Sequence, residues 1–340
     1  MQNKCEGCGG DLVWSPASNY LECTQCGGRT GVKRIVCPSM HNYQAGTDVP
    51  SIKPIQHSYT CTTCGGVFSS SEGALTRCPG CGAKTLVPST NNFNYLIDGI
   101  VPFKVSKKDA MEKLTKWIKG KKMAPNDLKH LFKLGKATGY YIPQYEVDLQ
   151  TIARYRGSGE HRETITKVDR DGRRSTYVVA HPYSFSGTKK KNTYRLVNAS
   201  GRAIPALGAY NTNELCGYLP QYTYGFSSAQ RVVDLTNAFN ITHRTIISEI
   251  ENQIRFEEDN VSFLHVDPEF FNEKYRLNLF PVWVTHYTYK NKQYSCYVNG
   301  QTGTVSGSTP ISGWKVFFIV LAAVAAIAGI ATAIIHATTL

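Results

Sequence analysis

Eight of the eleven cysteines in this 340-residue chain fall into two copies of one pattern. In the first, fourteen residues separate the pair Cys5 and Cys8 from the pair Cys23 and Cys26. In the second, thirteen separate Cys61 and Cys64 from Cys78 and Cys81. Each pair is a C-x-x-C turn followed directly by glycine: Gly9, Gly27, Gly65 and Gly82. Such a turn puts two sulfurs on one side of an ion, and a second turn brought round by a short hairpin closes the other side. Glycine takes positive φ, which bends the chain around the ion and aims amide protons at sulfur. A disulfide framework needs an oxidising compartment, and the polar, cysteine-rich first thirty residues contain no export signal. A redox role calls for one C-x-x-C in a βαβ setting, not four. The pattern therefore predicts two structural Zn²⁺ ions with closed four-thiolate shells. Cys37, Cys216 and Cys296 are left over.

The second constraint lies at the other end. Val316–Ile335, VFFIVLAAVAAIAGIATAII, is twenty residues without a charge. At ~1.5 Å per residue it spans about 30 Å, the hydrocarbon thickness of a bilayer. Only His336–Leu340 follow, so the expected arrangement is a tail anchor and a single-pass membrane protein. Reduced thiols then predict a soluble part in the cytoplasm. Ala325, Gly329 and Ala333 recur at four-residue intervals, a small-residue stripe that permits self-association; alanine is also simply common there.

The formal charge of +13 is uneven. Residues 1–100 carry +1, residues 101–200 carry +13 and residues 201–340 carry −1. Two zinc tetrathiolates would take the first hundred residues to about −3, so the ribbons themselves are poor phosphate binders. The candidate contacts to an anionic surface are Lys107, Lys108, Lys119, Lys121, Lys122, Arg173, Arg174, Lys189, Lys190 and Lys191. A solvated face is the plain alternative.

Between the ends the chain reads as α+β. Ser106 caps a helix with Asp109 three residues on, Ala110, Leu114, Trp117 and Ile118 make its apolar face, and Gly120 ends it. Pro125 opens a short second helix, APNDLKHLFKLG. ETITKV and STYVVA flank the turn Asp169–Arg174 as a hairpin. Helical periodicity returns near Ser228–Asp259, with Phe239, Ile246, Ile247, Ile250 and Ile254 on one face. Residues 275–307 read as an antiparallel pair turning at Lys290–Lys292. YYIPQYEVD, YLPQYTYGF and LFPVWVTHY each place a proline among bulky residues and predict three strand entries in one mixed sheet. The expected division is ribbon 1 over 1–36, a linker over 37–60, ribbon 2 over 61–86, a linker over 87–99, an α+β domain rich in antiparallel strands over 100–308, and a transmembrane helix over 316–335.

No P-loop, H-E-x-x-H or G-x-S-x-G string occurs, and the nine histidines are scattered, so no enzyme is expected. The layout of two C-x-x-C-G ribbons, VPFKVSKKDA…KWIKGKKMAP, GYYIPQY, LFPVWVTHY…YVNGQTG and an apolar tail resembles a bacterial family of double zinc-ribbon membrane proteins. Members are often labelled as containing transcription-factor-IIB-type ribbons or as primosomal-helicase-like. The resemblance implies zinc at the eight cysteines and a membrane-attached product, but no activity. The helicase label fails here for want of a nucleotide-binding motif, and CTQCGG and CTTCGG replace the commoner C-P-x-C-G knuckle, which survives only at CPGCG. Two functions follow as expectations. One is a membrane-anchored, non-enzymatic interaction or scaffold protein with a protein partner. The other is a nucleic-acid-binding protein, using Arg154, Arg156, Arg173, Arg174, Lys189–Lys191 and Arg195 interleaved with Tyr155, Tyr177 and Tyr194.

Overall fold

A computed structural model describes residues 3–50, 57–70, 75–89, 95–131, 137–201, 204–205, 207–290 and 292–338. Residues 51–56 and 90–94 of the two expected linkers, 71–74 of the second ribbon and 132–136 at the end of the second predicted helix lie outside them. The amino-terminal strands are β1 (Leu12–Ser15), β2 (Tyr20–Cys23), β3 (Arg29–Thr30), β4 (His41–Asn42), β5 (His57–Cys61), β6 (Val67–Ser70), β7 (Leu86–Pro88) and β8 (Gly99–Ile100). Helices α1 (Lys107–Lys119) and α2 (Asn126–Leu131) lead into two very long strands, β9 (Thr138–Val168) and β10 (Arg174–Asn198). The rest comprises β11 (Cys216–Gly217), β12 (Ser227–Ala229), α3 (Leu235–Glu257), β13 (Phe263–Tyr289), β14 (Lys292–Asn299), β15 (Val305–Gly307) and α4 (Gly313–Thr338).

β9 is the spine. Along one edge it pairs antiparallel with β13, from Phe263↔Ser158 to Val284↔Thr138, with one irregularity between Phe271 and Lys274. Along the other it pairs with β10 from Asn198↔Gln144 to Arg174↔Val168 without a register slip. β12 then takes over beside Tyr140 and Tyr141. The hairpin at Asp169–Arg174 is as predicted, but its strands run far beyond the two six-residue segments expected. Within it aromatic rings lie across glycines on the facing strand: Phe185 faces Gly157, and Tyr155 faces Gly187. A Cβ on Gly157 would meet the Phe185 ring at 2.3 Å, so only glycine leaves room for that ring.

The prolines show how local reading and sheet position meet. Pro143 and Pro281 lie inside β9 and β13, not at strand entries. Each nonetheless sits where a neighbouring ladder ends: the Pro143 carbonyl accepts from Ala199, just past β10, and the Pro281 carbonyl accepts from Gly300, just past β14. The missing proline N–H costs little there. The third motif differs: Pro220–Thr223 is a 3₁₀ turn, not a strand.

Alternation along β9 sorts the sheet's two faces. Tyr145, Val147 and Leu149 meet α3 through Phe239, Ile246, Ile250 and Ile254. On the same face Tyr141 meets α1 through Leu114 and Ile118, with Leu12, Trp14 and Leu21 of the first ribbon. Tyr140 and Ile142 point the other way, toward Phe68, Cys61 and Cys78 of the second ribbon. Helices gathered on one face of a mainly antiparallel sheet make this an α+β fold. The predicted caps hold: Ser106 Oγ accepts from the Asp109 amide at 3.2 Å, and Gly120 closes α1 at φ −73°, without the left-handed turn common at such sites.

Candidate metal centres

The eight predicted cysteines converge as two groups, Cys5/Cys8/Cys23/Cys26 and Cys61/Cys64/Cys78/Cys81, with all four sulfurs of each within 4.8 Å of one another. Sulfur separations are 3.8 Å for Cys5–Cys26, 3.4 Å for Cys8–Cys23, and 3.6 Å for both Cys61–Cys81 and Cys64–Cys78. Two thiolates at ~2.3 Å from one tetrahedral zinc lie about 3.8 Å apart, so the donor set fits that ion. Disulfide sulfurs would sit near ~2.05 Å.

One backbone device builds all four corners. The glycine amide donates to the carbonyl of the first cysteine in each pair: Gly9 to Cys5, Gly27 to Cys23, Gly65 to Cys61 and Gly82 to Cys78, at 2.8–3.0 Å. The first cysteine's amide bonds forward to the carbonyl of Gly10, Gly28, Gly66 or Ala83. Gly9, Gly27, Gly65 and Gly82 have φ between +68° and +76°, as the sequence predicted. Around one site, the Gly28 amide also reaches Cys26 Sγ at 3.4 Å.

The thiols differ in acidity. Backbone amides of Cys26 and Gln25 draw Cys23 down to about 6. Burial pushes Cys61 up, but the amides of Cys64 and Thr63 outweigh it and leave it at about 6. Burial pushes Cys81 up to about 11 and Cys78 above its usual value. Four thiolates in one site repel one another, and a divalent cation supplies the compensating charge that lets all four ionise. The three remaining thiols stay protonated: burial raises Cys37 to about 11 and Cys296 to about 12, and raises Cys216 as well.

The two centres sit differently in the molecule. Cys61 and Cys78 are buried against Phe68, Tyr140 and Val282, and β6 pairs with β12 so that this ribbon continues the main sheet. Cys8 and Cys26 are exposed. Their ribbon, β1–β2–β3, is a separate small sheet. It docks through Trp14, whose indole N–H donates to the Phe103 carbonyl at 3.1 Å.

At the far end, α4 has the length and composition to cross a membrane over Gly313–Ala331, and none of that stretch is buried in the fold. It begins three residues before the predicted span. Ala325 and Gly329 lie on this exposed helix, while the side chain of Ala333 lies outside the described residues. Lys315, a border residue by sequence, is a clamp: its ammonium donates to the carbonyls of Lys122 and Ala124 and to Asn126 Oδ1, at 2.8–3.0 Å. That fixes the start of α4 to the turn between α1 and α2. Beside it a cavity of about 810 Å³ is lined by Asp127, Tyr289, Lys290, Lys292, Tyr294 and Trp314. Aromatic rings and lysines at the foot of an apolar helix suit the headgroup layer. Trp314 and the lysines flanking the β13–β14 turn are the sequence signal that could have located this foot.

The chain is similar to one bacterial protein over nearly its whole length. "Uncharacterized protein YdjG" of Bacillus subtilis (strain 168) is 25% identical over 325 residues, covering 92% of this chain and 91% of that protein. No family model matches the chain, and no solved structure matches it. Two four-cysteine clusters and one apolar carboxy-terminal helix are the parts of the expected layout that the structure carries.

The ten basic candidates do not form one surface. Lys107, Lys108 and Lys119 lie on α1, with Lys121 and Lys122 just after it. Lys121 stacks over the Trp117 ring at 4.1 Å. Arg173 and Arg174 lie at the tip of the β9–β10 hairpin. Lys189 and Lys191 face α3, where Glu257 and Glu249 pair with them, and Lys190 points to the opposite face. Arg195 shares Glu249 at 2.6 Å, and Arg154 pairs with Glu269 at 3.0 Å. The sequence pattern also missed a buried ion pair. Arg276 grips Glu146 at 2.8–2.9 Å, joined by Asn278 and Tyr194, under the segment carrying Cys37.

Proposed function

We propose that this chain is a membrane-anchored zinc protein that acts as a non-enzymatic interaction module on the cytoplasmic membrane face. The observation that carries the reading is the combination of two four-cysteine clusters with an apolar helix of which no part over Gly313–Ala331 is buried. Closed thiolate centres stabilise small rigid surfaces and leave no coordination position for substrate. The exposed first ribbon is the surface such a module would offer a protein partner. Reduced thiolates favour the cytoplasm, and the lysines near the start of α4 agree with the positive-inside tendency.

The nucleic-acid reading draws less support, because Lys189, Lys191, Arg195 and Arg154 already face carboxylates. Affinity capture of the full-length protein from membranes in mild detergent tests the choice. A protein that co-purifies in stoichiometric amount, and is lost when Cys5 and Cys8 are changed to Ser, supports the reading. Nuclease-sensitive, salt-sensitive recovery of nucleic acid instead would replace it.

A further inference from the structure

The β9–β10 hairpin outruns the sheet. β13 stops beside Ser158, while β9 and β10 continue as a two-stranded ribbon from Gly159↔Tyr183 to Val168↔Arg174. At ~3.4 Å per residue these ten pairs extend about 34 Å. The base is anchored, with His161 Nδ1 2.8 Å from Asp259 Oδ2 and Asn260 Nδ2 donating to the Glu160 carbonyl. Beyond it, residues 162–168 are exposed or half-buried, and among the described residues no strand pairs with this edge. A lone two-stranded ribbon is marginal in water, and its free edge is a template for another strand.

The hydrogen-bonding parity of β9 says which groups that edge offers. Ala199 donates to the Pro143 carbonyl across β9 and β10, so odd-numbered residues of β9 bond toward β10. Ser158 accepts from Ser262 on the other side, so even-numbered residues bond outward there. The outward set is Arg162, Thr164, Thr166 and Val168. The outer edge of β10 is a poorer template, because the same parity turns Pro182, which has no N–H, outward.

For two such edges to pair antiparallel, outward residues must meet outward residues, so allowed registers differ by steps of two. Centred on Ile165, Glu163 of each copy faces Lys167 of the other, Thr164 faces Thr166, Arg162 faces Val168 and Ile165 faces itself. Centring on Thr164 puts Lys167 opposite His161. Centring on Thr166 puts Glu163 opposite Asp169 and Arg162 opposite Arg170. Only the Ile165 register joins opposite charges and opposes no like ones.

We propose that the chain dimerises with a second copy of itself through this edge, residues 162–168, in antiparallel register centred on Ile165. The result is a four-stranded β10–β9–β9–β10 sheet about a two-fold axis. Four outward pairs contribute about eight main-chain hydrogen bonds, and Glu163–Lys167 pairs form twice.

The test uses the full-length protein in detergent micelles. Ile165→Cys, mildly oxidised, is expected to give a 165–165 linked peptide by mass spectrometry, whereas Val178→Cys on β10 is not. Glu163→Lys and Lys167→Glu should each lower the 165–165 linkage about tenfold, because each sets two like-charged pairs face to face. The double variant Glu163→Lys/Lys167→Glu should restore it. Retention of two zinc ions per chain in every variant shows that the fold survives. A monomer in micelles overturns the proposal. So does a dimer that persists through both single charge changes without any 165–165 link, which would point to contact through α4 instead.

Discussion

Replacing Trp14 by alanine should undock the first ribbon without emptying it. Trp14 is 5% exposed, its ring meets Tyr222 edge-on at 4.9 Å, and its indole N–H satisfies the Phe103 carbonyl. A buried aromatic removes ~150–250 Å² from water, which at ~25 cal/mol per Å² is about 4–6 kcal/mol. Core Trp→Ala changes cost ~3–5 kcal/mol. A loss of about 4 kcal/mol raises the undocked population roughly a thousandfold. Leu12 and Leu21 remain in the contact and keep some attachment. Amide hydrogen exchange reads the effect directly. Protection should fall in β1–β3 and around Phe103 while that of β9, β13 and α3 holds, and zinc content should stay at two per chain. Trp14→Phe keeps most of the packing but strands the Phe103 carbonyl, so its effect should be smaller, about 1–3 kcal/mol. Unchanged protection in Trp14→Ala, or loss of zinc from it, would refute the separation of docking from metal binding.

Three further outcomes follow from the same geometry. A chelator should remove zinc in two stages by metal analysis, first from the centre with exposed Cys8 and Cys26, then with loss of tertiary fluorescence from the centre holding buried Cys61 and Cys78. Arg276→Ala leaves Glu146 buried beside only Asn278 and Tyr194 and should destabilise by about 3–5 kcal/mol, whereas Glu146→Leu/Arg276→Met should restore most of the melting temperature. Lys191 first, then Arg195, hold the Glu249 carboxyl below its usual 4.5. Its stabilising contribution is therefore complete above about pH 4.5 and lost as pH falls through the lowered value. Glu249→Gln should flatten that part of the melting-temperature curve below pH 4.5 and change little in its shape above it.

Much of the metal chemistry was legible because it is local. A C-x-x-C-G knuckle closes its own hydrogen bonds within six residues, so spacing alone names the converging cysteines and the glycine conformations. Helix α1 was legible for the same reason, with Ser106 and Asp109 three residues apart. The long strands were not. ETITKV and STYVVA announce a turn, but nothing near residue 150 states that β9 runs for thirty-one residues, since its stretch from Thr138 to Ser158 is paired with β13, which arrives from more than a hundred positions away. YLPQYTYGF looks like its two proline-bearing relatives yet forms a 3₁₀ turn, closed within the segment by the Tyr222 amide donating to the Leu219 carbonyl.

Charge shows the division most clearly. The sequence counted thirteen surplus positive charges in the middle third, and composition made them one basic stretch. Folding distributed them among a helix by the membrane-type segment, the tip of a hairpin and a strand facing the carboxylates of α3. Two clusters of four cysteines and one lipid-length apolar segment were determined by the chain alone, because each needs only its near neighbours to be defined. Which ribbon joins the sheet, which lysines remain free and which strand edge stays open were decided by tertiary structure. Those outcomes depend on groups that meet only once distant segments have packed.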